Sequence, residues 1–230
     1  IGSSNLKLIS VLINAMIEFA SFNMHGINQG GSLVEQWCTD KSFDIILLQE
    51  HWLSPVKLNE LNNISDDYIC FSCSSMESVC SSGILRGRPF GGLAILVKLQ
   101  LGMTRCKTIF NSERILAVEC VDILIICVYL PCASTADFKE ILTEIITDLE
   151  QICNNSDYSK IVIGGDFNCD LEVDSWFSRA LHKFIKDNKL HVCNCVSEDS
   201  DECFTYCNET LGHFSHIDYF LVSDVLSNNI

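Results

Sequence analysis

Short apolar runs rich in isoleucine, valine, leucine and phenylalanine recur along this chain, and stretches with helical spacing lie between them. Strand-like runs that alternate with helical patterns are typical of layered α/β folds. The predicted strands are Glu18–Phe22, Ile45–Gln49, Tyr68–Ser72, Leu93–Val97, Ile115–Glu119, Ile123–Tyr129, Ile161–Gly164, Phe204–Cys207 and Ile217–Leu221. So many strands are more than one sheet usually holds.

Three amphipathic stretches predict helices between these strands. The clearest follows Ser134, which can cap it, and carries apolar residues three and four apart from Phe138 to Ile152. A second covers Asp174–Asp187, and a shorter one lies around Leu33–Cys38. Polar or glycine-rich loops are expected at Asn62–Asp67, Ser74–Gly92 and Val196–Glu202.

The chain has 230 residues, 48% of them hydrophobic, and this size suits one large α/β domain. We assign residues 17–230 to that domain and residues 1–16 to an N-terminal extension of uncertain structure. The apolar stretch from Leu6 to Ala20 is interrupted by Lys7, Asn14 and Glu18, so no membrane span and no signal peptide are expected. Because neither end resembles a natural terminus, we expect a fragment of a longer protein.

Fourteen cysteines lie largely within apolar runs, which favours reduced thiols in an intracellular protein over a disulfide framework. The pairs Cys70/Cys73, Cys193/Cys195 and Cys203/Cys207 resemble zinc ligands, but none has a matched second pair at finger spacing. The formal net charge of −15 is unusual for a protein that binds nucleic acid, because phosphate contacts normally come from clustered lysine and arginine. Local basic character is limited to the neighbourhoods of Arg86, Arg88 and Arg105/Lys107.

Four segments place carboxylates or amides directly at the ends of apolar strands. They are Ser21-Phe22-Asn23, Leu47-Leu48-Gln49-Glu50, Gly164-Gly165-Asp166-Phe167-Asn168 and Ser215-His216-Ile217-Asp218-Tyr219. In layered α/β proteins, strand ends are where side chains from distant parts of the chain meet. A single acid there is usually a turn former, but four such segments together predict a site.

The chemistry of these residue types favours metal-assisted hydrolysis. Glu50 is a hard oxygen donor of the kind that suits Mg²⁺. The glycines before Asp166 allow a tight turn after a buried strand, and Asp166 and Asn168 can face the same side. Asp166 could then take a proton from an attacking water, while Asn168 could donate to phosphate oxygens.

The ordered set Asn23, Glu50, Tyr129-Leu130-Pro131, Gly165-Asp166-Phe167-Asn168 and Ser215-His216-Ile217-Asp218-Tyr219 resembles the endonuclease/exonuclease/phosphatase superfamily. The segment Gly87-Arg88-Pro89-Phe90-Gly91-Gly92-Leu93-Ala94-Ile95 and the strand Arg114-Ile115-Leu116 are similar to endonuclease domains of non-LTR retrotransposons. Cys132, where abasic-site repair relatives commonly carry asparagine, favours the same branch. The resemblance extends from about Glu18 to Ser223.

The resemblance implies a four-layered, DNase I-like sandwich of two packed mixed β-sheets flanked by helices. It implies that Asn23 and Glu50 bind Mg²⁺ or Mn²⁺, that Tyr129 lies beside the scissile phosphate, and that Asp166 and Asn168 act at the attacking water. Asp218 would orient a histidine. The implied reaction is hydrolysis of a DNA phosphodiester that leaves a 3′-hydroxyl, with a reverse transcriptase domain downstream and a nuclear location when the protein acts on DNA.

The Ser-Asp-His segment that follows the Ile-Asp-Tyr strand in the family is absent from this sequence, so we expect a domain truncated before that histidine and weak or absent activity. His216, on the strand face of Asp218, is one substitute, although an exposed strand residue is the simpler interpretation. His25 and His51 are interpreted as supporting or surface groups. The alternative functions are an inactive relic or binding module of the same fold, or a phosphatase or repair nuclease of the superfamily.

Overall fold

Two mixed β-sheets face each other in the computed structural model, which describes residues 8–13, 17–83, 88–102, 106–154, 158–193, 204–208 and 212–227. The first sheet has the order β1-β2-β3-β5-β4, and the second has the order β10-β13-β9-β8-β7-β6. The first comprises β1 (Ile9–Ile13), β2 (Ile17–Asn23), β3 (Ile45–Gln49), β4 (Tyr68–Cys73) and β5 (Leu93–Lys98). The second comprises β6 (Lys107–Asn111), β7 (Ile115–Cys120), β8 (Ile123–Tyr129), β9 (Ile161–Asp166), β10 (Leu190–Cys193) and β13 (Asp218–Ser223).

A separate two-stranded ribbon, β11 (Tyr206–Asn208) with β12 (His213–Ser215), precedes β13. Strands β2 and β3 run parallel, as do β8 and β9, and the other pairs are antiparallel. The helices are α1 (Ile27–Asp40), α2 (Asn59–Asn62), α3 (Glu77–Ser81), α4 (Leu99–Gly102), α5 (Phe138–Asn154), α6 (Trp176–Asp187) and α7 (Asp224–Ser227), with a 3₁₀ turn at Pro55–Lys57. This arrangement confirms the predicted DNase I-like sandwich of two mixed sheets flanked by helices.

Three apolar layers hold the sandwich together, because side chains on a strand alternate between its faces. Residues such as Phe19, Leu47, Ile125 and Phe220 fill the central layer between the sheets. Helix α1 covers the outer face of the first sheet, and helices α5 and α6 cover the outer face of the second. The buried positions of α5 are Leu142, Ile145, Leu149 and Ile152, which follow the helical spacing of the sequence.

Helix boundaries depend on local caps that the sequence showed only in part. Ser175 caps α6 through a capping box, in which its hydroxyl accepts from the Ser178 N–H while the Ser175 N–H donates to the Ser178 hydroxyl. Ser134, the expected cap of α5, instead lies in a turn beside Cys132, and the helix begins only at Phe138. The predicted loop Ser74–Gly92 contains the short helix α3.

Cysteine chemistry also differs from the sequence-based expectation at one pair. Cys106 and Cys120 form a disulfide across the β6–β7 hairpin, so the prediction of reduced thiols was wrong for this pair.

Cys70 packs on the outer face of β4 and Cys73 in the central layer, because residues three apart on a strand point to opposite sides. Cys195 and Cys203, members of the other predicted pairs, lie outside the described residues, as do Arg86, Gly87, Arg105, the predicted loop Val196–Glu202 and most of residues 1–16.

Candidate functional site

The predicted site residues meet at one mouth of the sandwich, between the two sheets. Asn23 ends β2 and Glu50 follows β3, so the first sheet supplies this pair. Tyr129 ends β8, Asp166 ends β9 and Asp218 begins β13 in the second sheet. Tyr129, Asp166 and Asp218 stand side by side in the strand register, where adjacent residues point to the same face.

A line of hydrogen bonds joins the two sheets at this mouth. The Asn23 amide Nδ2 donates to Glu50 Oε1 at 2.7 Å and to Asp166 Oδ2 at 3.0 Å. The Asn168 backbone N–H donates to Asp166 Oδ1 at 2.9 Å, so both oxygens of Asp166 have a donor. The structure therefore brings Asn23, Glu50, Asp166 and Asn168 together, although 143 residues separate Asn23 from Asp166.

Two glycines let the sheets and strands approach closely enough to form this contact. A Cβ on Gly164 would lie 2.5 Å from the Phe220 ring and 2.8 Å from Leu47, so glycine is needed where the two sheets touch. Gly165 has φ 146°, and a Cβ there would lie 2.0 Å from the Val128 carbonyl oxygen. The glycine pair thus positions Asp166 beside β8 and beneath the first sheet.

Burial dominates the electrostatics of the acids. It raises the pKa of Asp166 to about 6, against the lowering effect of hydrogen bonds from Asn168 and Asn23, while the charge of Glu50 raises that pKa further. Burial and the charge of Asp166 raise the pKa of Asp218 well above its usual range, and a hydrogen bond with Thr205 opposes them. An Asp166 carboxyl with this pKa can exchange a proton with water near neutral pH.

Tyr129 is kept protonated by its surroundings. Burial is the main cause that raises its pKa, followed by the charges of Glu50 and Asp166 and a hydrogen bond with Glu50, while Arg114 lowers it. Arg114 lies over the Tyr129 ring, with Cζ 4.9 Å from the ring centre, and its Nη1 is 3.4 Å from the Tyr129 carbonyl oxygen. Tyr129 can therefore donate a hydrogen bond at the mouth, and Arg114 brings positive charge to it.

One side-chain N–H of Asn168 is already used in a hydrogen bond within the protein. Its side-chain Nδ2 donates to the Leu130 carbonyl at 2.9 Å, which ties the segment after β9 to the end of β8. Its backbone φ of 48° lies in the left-handed region, which asparagine tolerates better than most residues. Only the second amide hydrogen of Asn168 is then left for a phosphate oxygen.

Neither His216 nor His51 fills the role that the sequence left open beside Asp218. His216 precedes the start of β13, and its ring stacks on Tyr219 at 4.5 Å, so the idea that it shares a strand face with Asp218 was wrong. His51 is fully buried, where its ring accepts from the Leu53 N–H and contacts the Cys73 carbonyl, and burial lowers its pKa. Thr205, which the sequence analysis did not single out, accepts from the Ile217 and Asp218 N–H groups.

The oxygen donors at the mouth fit a hard divalent cation. Glu50 offers a carboxylate, and Mg²⁺ commonly binds one or two carboxylates while water and substrate phosphate complete its shell. Asn23 directs its amide Nδ2 towards Glu50, and its Oδ1 accepts from the His25 N–H, so its oxygen reaches a cation beside Glu50 only if the amide turns over. Within the described ranges, no three His, Cys, Asp or Glu side chains converge into a cation cage.

The fold and this mouth of acids and amides define the class as a layered α/β hydrolase of the DNase I-like type. The sequence model described as the Endonuclease/Exonuclease/phosphatase family matches residues 20–228. The chain therefore belongs to that family, whose members are nucleases and phosphatases. No curated protein sequence matches the chain significantly.

Several solved structures share the fold. The 3′ phosphatase NExo from Neisseria, bound to a product DNA hairpin, is similar with a TM-score of 0.67 and 16% identity, over 91% of this chain and 87% of that one. An AP endonuclease from Archaeoglobus fulgidus gives a TM-score of 0.67 and 16% identity, over 93% and 89% of the two chains. The endonuclease domain of TRAS1, a telomere-specific non-LTR retrotransposon, gives 0.63 and 12% over 91% and 86%.

In the part of the chain that the structure describes, none of the helices is both long enough and apolar enough to span a bilayer.

Proposed function

We propose that this chain is a Mg²⁺-dependent, DNA-nicking endonuclease domain of a non-LTR retrotransposon protein. The observation that carries the proposal is the hydrogen-bonded line from Glu50 through Asn23 to Asp166, in which an acid and an amide of one sheet meet an acid of the other. Tyr129 lies beside this line with its hydroxyl protonated. Such a set can bind a cation, activate water and hold a phosphate.

Each residue has a defined part in this proposal. Glu50, and Asn23 with its amide turned over, would hold Mg²⁺, which when bound would supply charge neutralisation at the scissile phosphate. Asp166 takes the proton of the attacking water, and its pKa of about 6 suits a base that works near neutral pH. Tyr129 and the free amide hydrogen of Asn168 donate to the phosphate oxygens as negative charge develops. Asp218 orients a histidine that a longer form of the protein would supply.

Support for the retrotransposon branch comes from the sequence. The segment from Gly87 to Ile95, the strand that begins at Arg114, and Cys132 after Leu130-Pro131 all resemble that branch rather than repair enzymes. We further propose a reverse transcriptase domain downstream and action on DNA in the nucleus. The reading frame beyond Ile230 tests this, because a Ser-Asp-His segment and a polymerase-like region should follow.

Plasmid nicking tests the activity directly. In a protein extended beyond Ile230 to include the Ser-Asp-His segment, supercoiled DNA should be converted to open circles in Mg²⁺ but not in EDTA, and Asp166→Asn should abolish the conversion. Asp122→Asn, at an exposed turn residue at the opposite end of β8 from Tyr129, is the matched control and should nick like the unsubstituted protein. DNA polymerase should extend the nicks, because the products carry 3′-hydroxyl ends. Release of phosphate from a 3′-phosphorylated duplex without nicking would instead indicate a phosphatase.

Two observations favour a second candidate, an inactive domain that retains the fold. The net charge of −15 opposes DNA binding. Among the described residues, the hydrogen-bond partner of Asp218 is Thr205 rather than a histidine. Loss of one member of a catalytic unit typically lowers the rate by several orders of magnitude. We therefore expect residues 1–230 to nick DNA weakly or not at all, and robust Mg²⁺-dependent nicking would contradict that expectation.

A further inference from the structure

We propose that Trp52 is a positioning residue that holds the Glu50 carboxylate in the orientation in which it binds the divalent cation. The inference rests on the metal site of the proposed function, and it concerns a residue that the motif analysis did not select. The contact is direct: the indole Nε1–H of Trp52 donates to Glu50 Oε2 at 3.0 Å. Trp52 thus acts on the cation through Glu50.

Glu50 is held from both sides while keeping room for a cation. Asn23 donates to Oε1 at 2.7 Å, Trp52 donates to Oε2, and Tyr129 makes a third hydrogen bond to the same carboxylate. A carboxylate has about four lone-pair sites on its two oxygens, so about one of them remains for a metal. Without the indole N–H, the carboxylate would lose the donor that fixes Oε2 and would be less restrained against rotation about its last bond.

The backbone makes this contact by a conformation that most residues avoid. Glu50 has φ 56° and Trp52 has φ 57°, both in the left-handed region. The Trp52 N–H donates to the Gly91 carbonyl at 2.9 Å, and the Gly26 N–H donates to the Glu50 carbonyl at 2.8 Å, so neighbouring loops hold the segment on both sides. Non-glycine residues in this region cluster at functional sites, where surrounding structure enforces the conformation.

A second ring links Trp52 to the other predicted metal ligand. His25, also left-handed with φ 50°, stacks on Trp52 with the ring centres 6.1 Å apart. Its backbone N–H donates to Asn23 Oδ1 at 3.1 Å, and its ring Nδ1 lies 2.9 Å from the same oxygen. Gly26 makes room for the indole, because a Cβ there would lie 2.5 Å from Trp52 Cε3. Trp52 and His25 therefore form one packed unit that contacts both Glu50 and Asn23.

Calorimetric titration with MgCl₂ alone, in the absence of DNA, tests the inference without relying on activity. Trp52→Phe keeps an aromatic ring but removes the N–H, and it should weaken Mg²⁺ affinity by about tenfold, the effect typical of residues that support a metal ligand. Trp52→Gln restores an N–H donor and should bind within about threefold of the wild type. Trp176→Phe, which alters a tryptophan that packs on Phe138, should leave binding unchanged.

Double variants separate positioning from general loosening of the loop. Glu50→Gln should lose Mg²⁺ binding, and Trp52→Phe should have no further effect in that background. Wild-type affinity in Trp52→Phe, with binding lost in Glu50→Gln, overturns the role of Trp52 and leaves the proposed function intact. Wild-type affinity in Glu50→Gln overturns both, because Glu50 is then not a ligand. If Trp52→Phe does not fold, Trp52→Gln decides: near-normal affinity supports the inference, and a tenfold loss overturns it.

Discussion

Replacing Asp166 with asparagine should make the metal-free protein more stable at neutral pH. Burial is the main cause that raises the pKa of this carboxyl from 3.8 to about 6. A raised pKa in the folded state means that folding favours the protonated acid. This contribution to stability is fully present below about pH 4 and is lost as the pH rises through about 6. At pH 7.5 the wild-type protein therefore carries the whole cost of burying the charge.

The size of the effect follows from the pKa and one hydrogen bond. A difference of about two pH units corresponds to about 3 kcal/mol at pH 7.5. Asparagine removes this cost, but its NH₂ group cannot accept the hydrogen bond that Asn23 Nδ2 gives to Asp166 Oδ2, which returns about 1 kcal/mol. The net gain is about 2 kcal/mol. For a domain of this size, it should raise the melting temperature by roughly 5 °C.

Thermal unfolding in EDTA, followed at several pH values between 4 and 8, measures this directly. The variant should unfold at the higher temperature at pH 7.5, and its advantage should shrink and vanish towards pH 4. Asp122→Asn, at an exposed turn, should show no such pH-dependent difference. A variant that melts below the wild type at pH 7.5, or a difference that is the same at every pH, would refute the assignment of the buried charge to Asp166.

Three further predictions concern the scaffold and the site. Gly165→Ala should destabilise the protein by about 3 kcal/mol or more in urea unfolding, since its Cβ would lie 2.0 Å from the Val128 oxygen; a loss below 1 kcal/mol would mean that β8 and β9 yield easily. Ser175→Ala removes the capping box of α6 and should cost about 1 kcal/mol by the same measurement, whereas an unchanged midpoint would show that the cap is dispensable. Tyr129→Phe should lower any nicking rate by about 10- to 100-fold, and an unaffected rate would remove its hydroxyl from the mechanism.

Strands with continuous apolar runs were predictable from the sequence. The bounds of β3 and β8 agree with the prediction at both ends, because these strands are buried on both faces and read as unbroken apolar segments. Strand β6 was missed, since it is a largely exposed edge strand whose Lys107 and Asn111 carry no apolar alternation. It exists because β7 offers a partner, and such a partner is not visible in a local pattern. Strand β1 was left open for a different reason, because its apolar run fitted either a strand or a helix, although Ile9, Val11 and Ile13 are buried in alternation.

The site was predictable as far as its residues follow strands. Asn23, Tyr129 and Asp166 each end a strand, and strand ends in layered α/β proteins are where side chains from distant parts of the chain meet. Trp52 was beyond reach, because left-handed backbone at non-glycine residues has no sequence signature of its own. His25 was predicted only as a supporting or surface group, without its contact with Asn23. His216 failed as a substitute because it lies before β13, which begins at Asp218, so the alternation of side chains along that strand does not extend to it.

The order of the strands has a consequence for how the molecule acquires its chemistry. The first sheet draws on residues 9–98 alone, and the second on residues 107–223, so each half of the polypeptide builds its own layer. Glu50 and Asn23 belong to the earlier half, while Asp166 and Tyr129 belong to the later one. Under the proposed function, a nascent chain would therefore contain the residues assigned to the cation before those assigned to the attacking water and the phosphate. The site would be complete only once both layers had formed and packed together.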